Sequence, residues 1–372
     1  MSGSILVVGA GVAGLAVARA LAQRGLGCTV IDKRRATAGL GMGVNLPGNA
    51  TRALGELGIA DQVLDRGVPV RRREYRNAAG RLLFAVDEED FWRGVGRSVC
   101  VRHGHLVRAL ESPTPGVEFE EARALIAQPL PDGVHVQLDG EQRARAYDLV
   151  IGADGIHSAM RAAVAADPVR PSRMTATCWR FIGDNPGVDC WTAWSGTDET
   201  FLLIPVEDGR VYGYAARTRG GPVGTDPEWL ERAFAGFPVE VMSAIGGVRE
   251  GRGERHHGPV EEVRIPRWHN GRLILIGDAA HATGPVWAQG AAMALEDALT
   301  LGRLLSETPM PEWTGAGARF ERARRPRVEH VQAATDRMSR LASLPGQLRD
   351  LSAPVLGPMS YRKAYEPLRR SL

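Results

Sequence analysis

The run Ser4–Val8 is short, apolar and rich in β-branched residues, and it leads straight into Gly9-Ala10-Gly11-Val12-Ala13-Gly14. A helical pattern follows to about Arg24. This strand–glycine–helix sequence constrains the fold more than any other feature. Gly9 permits a tight turn, Gly11 lets the backbone approach a pyrophosphate, and Gly14 allows close helix–strand packing. Phosphates then rest on the free N–H groups of the helix N-terminus. The next strand, "CTVID", ends at Asp32, where a carboxylate can hold a ribose diol through two hydrogen bonds. A dinucleotide-binding unit is predicted, and the motif alone does not separate a nicotinamide dinucleotide from FAD. Lys33, Arg34 and Arg35 follow the acid and read as a solvated strand exit, with a contact to the adenosine phosphate as the second reading.

Two later segments repeat the plan. "YDLVIGADGIHSAMRAAV" (147–164) is an apolar strand, then Asp154-Gly155, then a helix bearing Ser158 and Arg161. "LILIGDAAHATGPVWAQGAAMALEDALTL" (273–301) is a buried strand, Gly277-Asp278, a loop of small residues and a long helix. If the three strands share one parallel sheet, their carboxyl ends open a single crevice. Asp278 is too distant to belong to the first unit, so it serves another part of the ligand or another ligand. FAD meets both demands. Gly9, Gly11, Val12, Ala13, Gly14, Asp32 and Lys33 then hold its adenosine half. Gly277-Asp278 takes the ribityl hydroxyls, with Asp154 in the second of the three loops. Gly290, Ala291 and Ala292 open a helix whose dipole can stabilise charge on the reduced flavin.

Composition excludes several alternatives. The 372 residues suffice for one large or two interleaved domains, and the net charge is only +3. Lys33 and Lys363 are the sole lysines. The basic runs "RRRE" (71–74) and "RARRPR" (322–327) lack aromatic stacking partners and read as solvated faces, not a nucleic-acid footprint. Cys28, Cys100, Cys178 and Cys190 show no metal-ligand or disulfide spacing, so no metal is expected. No signal peptide or membrane span is expected, which makes a cytoplasmic enzyme the default.

Together the motifs resemble the group A flavoprotein monooxygenases, with the para-hydroxybenzoate hydroxylase-like fold. The likeness is carried by GxGxxG at Gly9–Gly14, "GADGxxSxxR" at Gly152–Arg161 and "GDAAHxxxP" at Gly277–Pro285 followed by "QGAAMALEDALTL". "GLGMGVNLPGNATRALGELG" (39–58) resembles the family's loop and helix bordering the flavin, and "TCWR" (177–180) resembles bacterial quinolone and phenol hydroxylases. The resemblance implies an α/β fold: a Rossmann-like FAD-binding domain with an inserted antiparallel-sheet substrate domain and C-terminal helices. The expected bounds are 1–65, 98–168 and 267–310 for the first, 66–97 and 169–266 for the second, and 311–372 for the helices. It also implies a small aromatic substrate, O2, and NADH or NADPH as transient reductant. In that reaction NAD(P)H reduces FAD, O2 adds at flavin C4a, and the hydroperoxide hydroxylates an electron-rich ring.

The resemblance places Pro285 beside the flavin's reactive face. The family's phosphate-contacting arginine falls in register on His103, and Arg102 is assigned instead because a permanent cation suits pyrophosphate better. Alternation puts Phe201 and Leu203 on one strand face, and Tyr212 and Tyr214 on one face of the next strand. Trp179, Trp194, Phe201, Leu203, Tyr212, Pro285 and Trp287 are the substrate-pocket candidates, with about half of the aromatics expected to be plain core. Val286-Trp287-Ala288 replaces the family's common Asn-Leu-Gly, which restricts the backbone at 288. Trp287 then either narrows the substrate site or turns into the domain interface. His281 reads as structural, His256 and His257 as exposed, and no catalytic base is assigned. Three rivals stay open: a nicotinamide dehydrogenase, a flavin reductase or halogenase, and a flavoprotein scaffold. The halogenase is weakened by the missing WxWxIP pattern and the scarcity of lysine.

Overall fold

The computed structural model describes residues 3–33, 41–165, 171–217, 224–342 and 345–371; Arg34 and Arg35 lie outside them. Ile5–Val8 is buried at every position, as suits the centre of a parallel sheet covered on both faces. It pairs in parallel with Cys28–Asp32 on one side and Leu149–Gly152 on the other. Leu273–Leu275 pairs in parallel with Leu149–Gly152. Val117–Glu121 and His269–Asn270 complete a six-stranded sheet. The motif-bearing strands are therefore neighbours, and their turns share one edge.

Small residues let the covering helices approach closely. The helix Val12–Ala22 reads VAGLAVARALA. A Cβ placed on Gly302 of the helix Gly290–Ser306 would lie 3.0 Å from the Ala20 Cβ, and one on Gly277 would lie 2.8 Å from the Ala13 Cβ.

The second sheet has seven strands, in the order Glu254–Glu262, Ser172–Asp184, Arg210–Arg217, Glu199–Val206, Trp191–Ser195, Arg72–Asn77 and Leu82–Asp87. One face carries Trp179, Phe181, Trp194, Phe201, Leu203, Val211 and Ala215. It packs under the helices Pro227–Ala233 and Val239–Arg249 through Leu230, Phe234, Val241 and Ile245. The opposite face carries Ile182, Trp191, Ala193, Ile204 and Val206, with Tyr75, Leu202 and Tyr212. It meets Met42, Val70 and Cys100.

The helices Ala316–Ala342 and Gly346–Tyr365 brace both sheets. Here the structure corrects the reading of the basic runs. Arg73 and Arg324 are each only 1% exposed. Arg73 is ion-paired with Glu88, donates to the Tyr365 hydroxyl at 3.0 Å and lies over the rings of Trp191, Tyr361 and Tyr365. Neighbouring Arg71, Arg72 and Arg322 stay on the surface. Among the described residues, no helix is long and apolar enough to cross a membrane.

Candidate active site

The three glycines of the first turn do different work. Gly9 has φ +107°, and a Cβ there would lie 2.4 Å from the Ala153 carbonyl oxygen of the second motif loop. A Cβ on Gly14 would lie 1.8 Å from the Gly9 oxygen. Both are demanded by the protein's own packing. Gly11 caps the helix Val12–Ala22, is exposed, and a Cβ on it would meet no atom within 4 Å. The chain's own packing does not demand a glycine there, and the open backbone fits a pyrophosphate on the helix N-terminus. The Ala10 N–H donates to Asp32 Oδ2 at 2.8 Å, which fixes the carboxylate at the strand end. Val12 is half-buried, Ala13 is buried and Lys33 is exposed.

Asp154 turns inward. Its oxygens accept from Ser158 Oγ at 2.6 Å, from Ala159 N at 2.7 Å and from Met160 N at 3.2 Å. Buried Arg161 then reaches the carbonyls of Ile156 and Ala279, at 2.6 and 3.1 Å. These residues shape the second loop and staple it to the third.

In the third loop Gly277 has φ +56°, and its N–H donates to Asp297 Oδ2 at 2.9 Å. Asp278 follows and is exposed. The surrounding walls push its carboxyl pKa up; His281 opposes this and the charge of Asp297 adds to it. An accessible carboxylate in such a recess suits ribityl hydroxyls, because hydrogen bonds there replace lost water.

Beneath this loop lies a network that the sequence reading missed. His281 Nε2 lies 2.7 Å from Asp297 Oδ2, and Arg324 Nε donates to Asp297 Oδ1 at 2.8 Å. Arg324 and Arg327 both pair with Glu296, at 3.0 and 2.7 Å. Asn49 donates to Glu296 and to Gln289, both at 3.0 Å. His281, Glu296, Asp297, Arg324, Asn49 and Gln289 are all buried. The network ties the "GDAAH" turn to the start of the helix at Gly290, where Gly290 and Ala291 are half-buried and Ala292 is buried. The usable signal was Glu296-Asp297 inside an apolar stretch, since buried acids require cations.

Pro285 and Val286 are exposed. Trp287 is 4% exposed and sits edge-on to Tyr365 at 5.5 Å, while the Tyr365 hydroxyl donates to the Trp287 oxygen at 2.6 Å. Trp287 therefore belongs to the interface with the C-terminal helix, not to the pocket. Ala288 is held left-handed at φ 52°, ψ 36°, a conformation favouring glycine.

Arg102 has other partners than the one expected. Its Nε donates to the Gly41 oxygen at 2.7 Å, and its guanidinium is ion-paired with Glu254 of the second sheet. The strand Val99–Arg102 runs so that residue 102 points at that sheet. His103, one step on, is exposed at the start of the helix His103–Leu110.

The substrate-pocket set also changes. Trp179, Trp194, Phe201 and Leu203 lie on the helix-covered face, in core that is remote from the cleft side. Tyr212 lies on the opposite face, with Met42, Val70 and Cys100, where a Cβ on Gly43 would come 2.5 Å from the Tyr212 Cβ. Burial pushes the Tyr212 phenol up to about 12 although Arg180 pulls it down. Other positions on that face are out of phase with those expected, namely Leu202, Ile204, Trp191, Ala193 and Arg180, whereas Tyr214 shares it with Tyr212 as alternation predicts. His256 is exposed as expected. His257 is half-buried against Trp179 at 5.0 Å.

A family model described as "FAD binding domain" matches residues 3–338. A 3-amino-4-hydroxybenzoate 2-monooxygenase of Streptomyces cremeus is 33% identical, with 92% of this chain and 88% of the relative covered. A 2-heptyl-3-hydroxy-4(1H)-quinolone synthase of Pseudomonas aeruginosa is 29% identical, with 88% and 87% covered. Among solved structures, Klebsiella pneumoniae HpxO complexed with FAD and uric acid superposes with TM-score 0.83 at 25% identity, covering 98% of this chain and 94% of the other. The open Gly11, the oriented Asp32 and the accessible Asp278 fit FAD laid along one sheet edge. The chain belongs to the group A FAD-dependent aromatic monooxygenases.

Proposed function

We propose that this enzyme hydroxylates a small aromatic or heteroaromatic ring, consuming O2 and NADH or NADPH with one FAD per chain. The observation that carries the reading is the shared edge of Ile5–Val8, Cys28–Asp32, Leu149–Gly152 and Leu273–Leu275, with a second sheet whose apolar and phenolic face meets Met42, Val70 and Cys100. FAD, when bound, supplies the transfer of electrons from NAD(P)H to oxygen. The chain's own residues bind, orient and shield. Gly11 and the helix N-terminus receive the pyrophosphate, Asp32 the ribose and Asp278 the ribityl chain. The first turn of the helix at Gly290 presents N–H groups to the pyrimidine end. Pro285 bounds the reacting face. Leu202, Ile204, Trp191 and Tyr212 exclude water from the ring, which protects reactive oxygen species from discharge. Tyr212 stays protonated at neutral pH and so serves as a hydrogen-bond donor, not a base.

The names of the relatives make aminohydroxybenzoates, hydroxybenzoates and quinolones the first compounds to try. All four cysteines are free and buried, and the reductant is intracellular, so we place the reaction in the cytoplasm. Turnover under 18O2 tests the proposal. The expected result is ring-stimulated NAD(P)H oxidation with one labelled oxygen in the product. Oxidation that no ring accelerates, with no labelled product, contradicts it.

A further inference from the structure

The turn 285–288 runs from the proline that bounds the reacting face, in the reading above, to the start of the helix Gly290–Ser306. Its own sequence does little to hold it. Pro285 and Val286 are exposed, and the Trp287 Nε1 is buried without a hydrogen bond. Ala288 nevertheless keeps the left-handed conformation φ 52°, ψ 36°. A non-glycine residue persists there only where its surroundings over-determine it. Inside the turn the Ala288 N–H donates to the Pro285 oxygen at 3.0 Å. From outside, among the described residues, the hydrogen bond that reaches 283–288 is the one from the Tyr365 hydroxyl to the Trp287 oxygen, at 2.6 Å.

Tyr365 is itself clamped. It is fully buried at the end of the helix Gly346–Tyr365. Arg73 Nη1 donates to its hydroxyl at 3.0 Å, and Arg73 is ion-paired with buried Glu88. A guanidinium can only donate and a carbonyl can only accept, so the phenolic proton has one direction to take. Burial pushes the Tyr365 phenol up against the pull of Arg73, and the proton stays in place. The result is a directed chain from the Glu88 carboxylate through the Arg73 guanidinium and the Tyr365 hydroxyl to the Trp287 carbonyl. Hydrogen bonds in series inside a low-dielectric interior polarise and strengthen one another. The chain starts on the strand Arg72–Asn77 and the short helix Glu88–Phe91, crosses the C-terminal helix and ends on the loop that follows Gly277-Asp278. Tyr361, one turn earlier, donates to Glu88 and packs on Phe91 and Tyr365. Among the described residues, no hydrogen bond or ring contact joins Tyr361 to 283–288.

We infer that Tyr365 is a positioning residue of the hydroxylase: through the Trp287 carbonyl it fixes the turn between Pro285 and Gly290, and so fixes how the substrate ring meets the flavin. This rests on the hydroxylase reading above and adds what sets its efficiency. In the coupled reaction NAD(P)H, H+, O2 and the ring give NAD(P)+, water and the hydroxylated ring. In the uncoupled one NAD(P)H, H+ and O2 give NAD(P)+ and H2O2, and the ring is returned unchanged. A small displacement at a reacting centre is enough to favour the second.

The test compares Tyr365→Phe with Tyr361→Phe. Each removes one buried hydroxyl from the same Arg73–Glu88 cluster, and only the first removes a bond to the turn. Hydrogen exchange at the amides of Val286, Trp287, Ala288 and Gln289 is followed in the full-length FAD-free chain. It is expected to quicken about 10-fold in Tyr365→Phe, the scale of one net hydrogen bond, and to keep the wild-type rate in Tyr361→Phe. The absorbance of bound FAD is expected to shift in Tyr365→Phe alone. Turnover is read with the aminohydroxybenzoates, hydroxybenzoates and quinolones named above. There Tyr365→Phe is expected to release more H2O2 per NAD(P)H oxidised, with kcat for ring product about 10-fold lower and KM for the ring little changed, while Tyr361→Phe stays coupled. Unchanged exchange or unchanged coupling in Tyr365→Phe overturns the inference. So does an equal loss in both variants, which marks the cluster as structural support only. If wild type oxygenates no ring, the hydroxylase reading fails by itself, and the exchange and absorbance arms still decide whether Tyr365 sets the turn.

Discussion

The two largest sheets of this enzyme carry function in different ways. In the six-stranded, mostly parallel sheet, function sits in turns at the strand ends, and each turn is written in consecutive residues. In the seven-stranded sheet, function sits on one of two faces, and a shift of one position exchanges core for cleft. Phe201 and Leu203 against Leu202 and Ile204 make the point: all four are apolar neighbours in sequence, yet the first two pack under helices and the others on the opposite face, with Met42, Val70 and Cys100. Turn chemistry is local, whereas the choice of face depends on what the rest of the chain supplies as cover.

The strongest way to break this contrast is to attack the support of the parallel-sheet site from outside its motifs. Arg324→Leu leaves buried Glu296 and Asp297 short of a cation, and removal of one member of such a network costs about 3–5 kcal/mol. Chemical denaturation should show that loss. A change below about 1 kcal/mol, the worth of an ordinary surface pair, would mean the network does not hold the "GDAAH" loop.

A second experiment sharpens the division between binding and stability. Asp278→Asn should weaken FAD binding about 10- to 100-fold, the range for hydrogen bonds to a charged group. The raised pKa of Asp278 means its ionised form opposes folding: its stability contribution is fullest at low pH and is lost as pH rises through the raised value. The FAD-free variant should therefore be at least as stable as wild type at neutral pH. Asp278→Ala should likewise be folded and colourless. A yellow variant with normal turnover would remove the ribityl assignment.

The acid response separates Asp297 from Asp278. Burial alone would raise the Asp297 carboxyl, but His281 and Arg324 reverse this and leave it below its ordinary range. Its contribution is thus present above the unfolded value and is lost as pH falls through the folded one. The stability gap between wild type and Asp297→Asn should be constant near neutrality and narrow below about pH 4. A gap that widens in acid contradicts the assignment.

These contrasts explain what the sequence could tell. The glycine turn, Asp32, Gly277-Asp278 and the adjacency of their strands were legible because spacing and residue type specify them locally. Asp154 was legible as a motif but not as a self-capping turn, since its partners are the Ser158 hydroxyl and the backbone N–H groups of Ala159 and Met160. The buried roles of Arg73 and Arg324 were hidden because their acids, Glu88 and Glu296-Asp297, lie elsewhere in the chain. Alternation revealed that the second sheet had two faces but could not say which one the helices Pro227–Ala233 and Val239–Arg249 would cover. Trp287 needed the C-terminal helix to decide its direction.

The smallest effect probes the one departure in the family loop. Ala288 holds φ 52°, so Ala288→Gly relieves left-handed strain while adding freedom to the unfolded chain, for a net change of no more than about 1 kcal/mol. A thermal melt should rise slightly or stay level. A marked fall would show that the alanine methyl packs productively there.

The central claim is that separate turns grip one molecule from end to end, and calorimetric titration of FAD into the cofactor-free chain measures it. The account predicts one FAD per chain, with Gly11→Val at the pyrophosphate end and Asp278→Asn at the ribityl end each weakening that same event while the fold persists. Two binding events, or undiminished affinity in either variant, would contradict it.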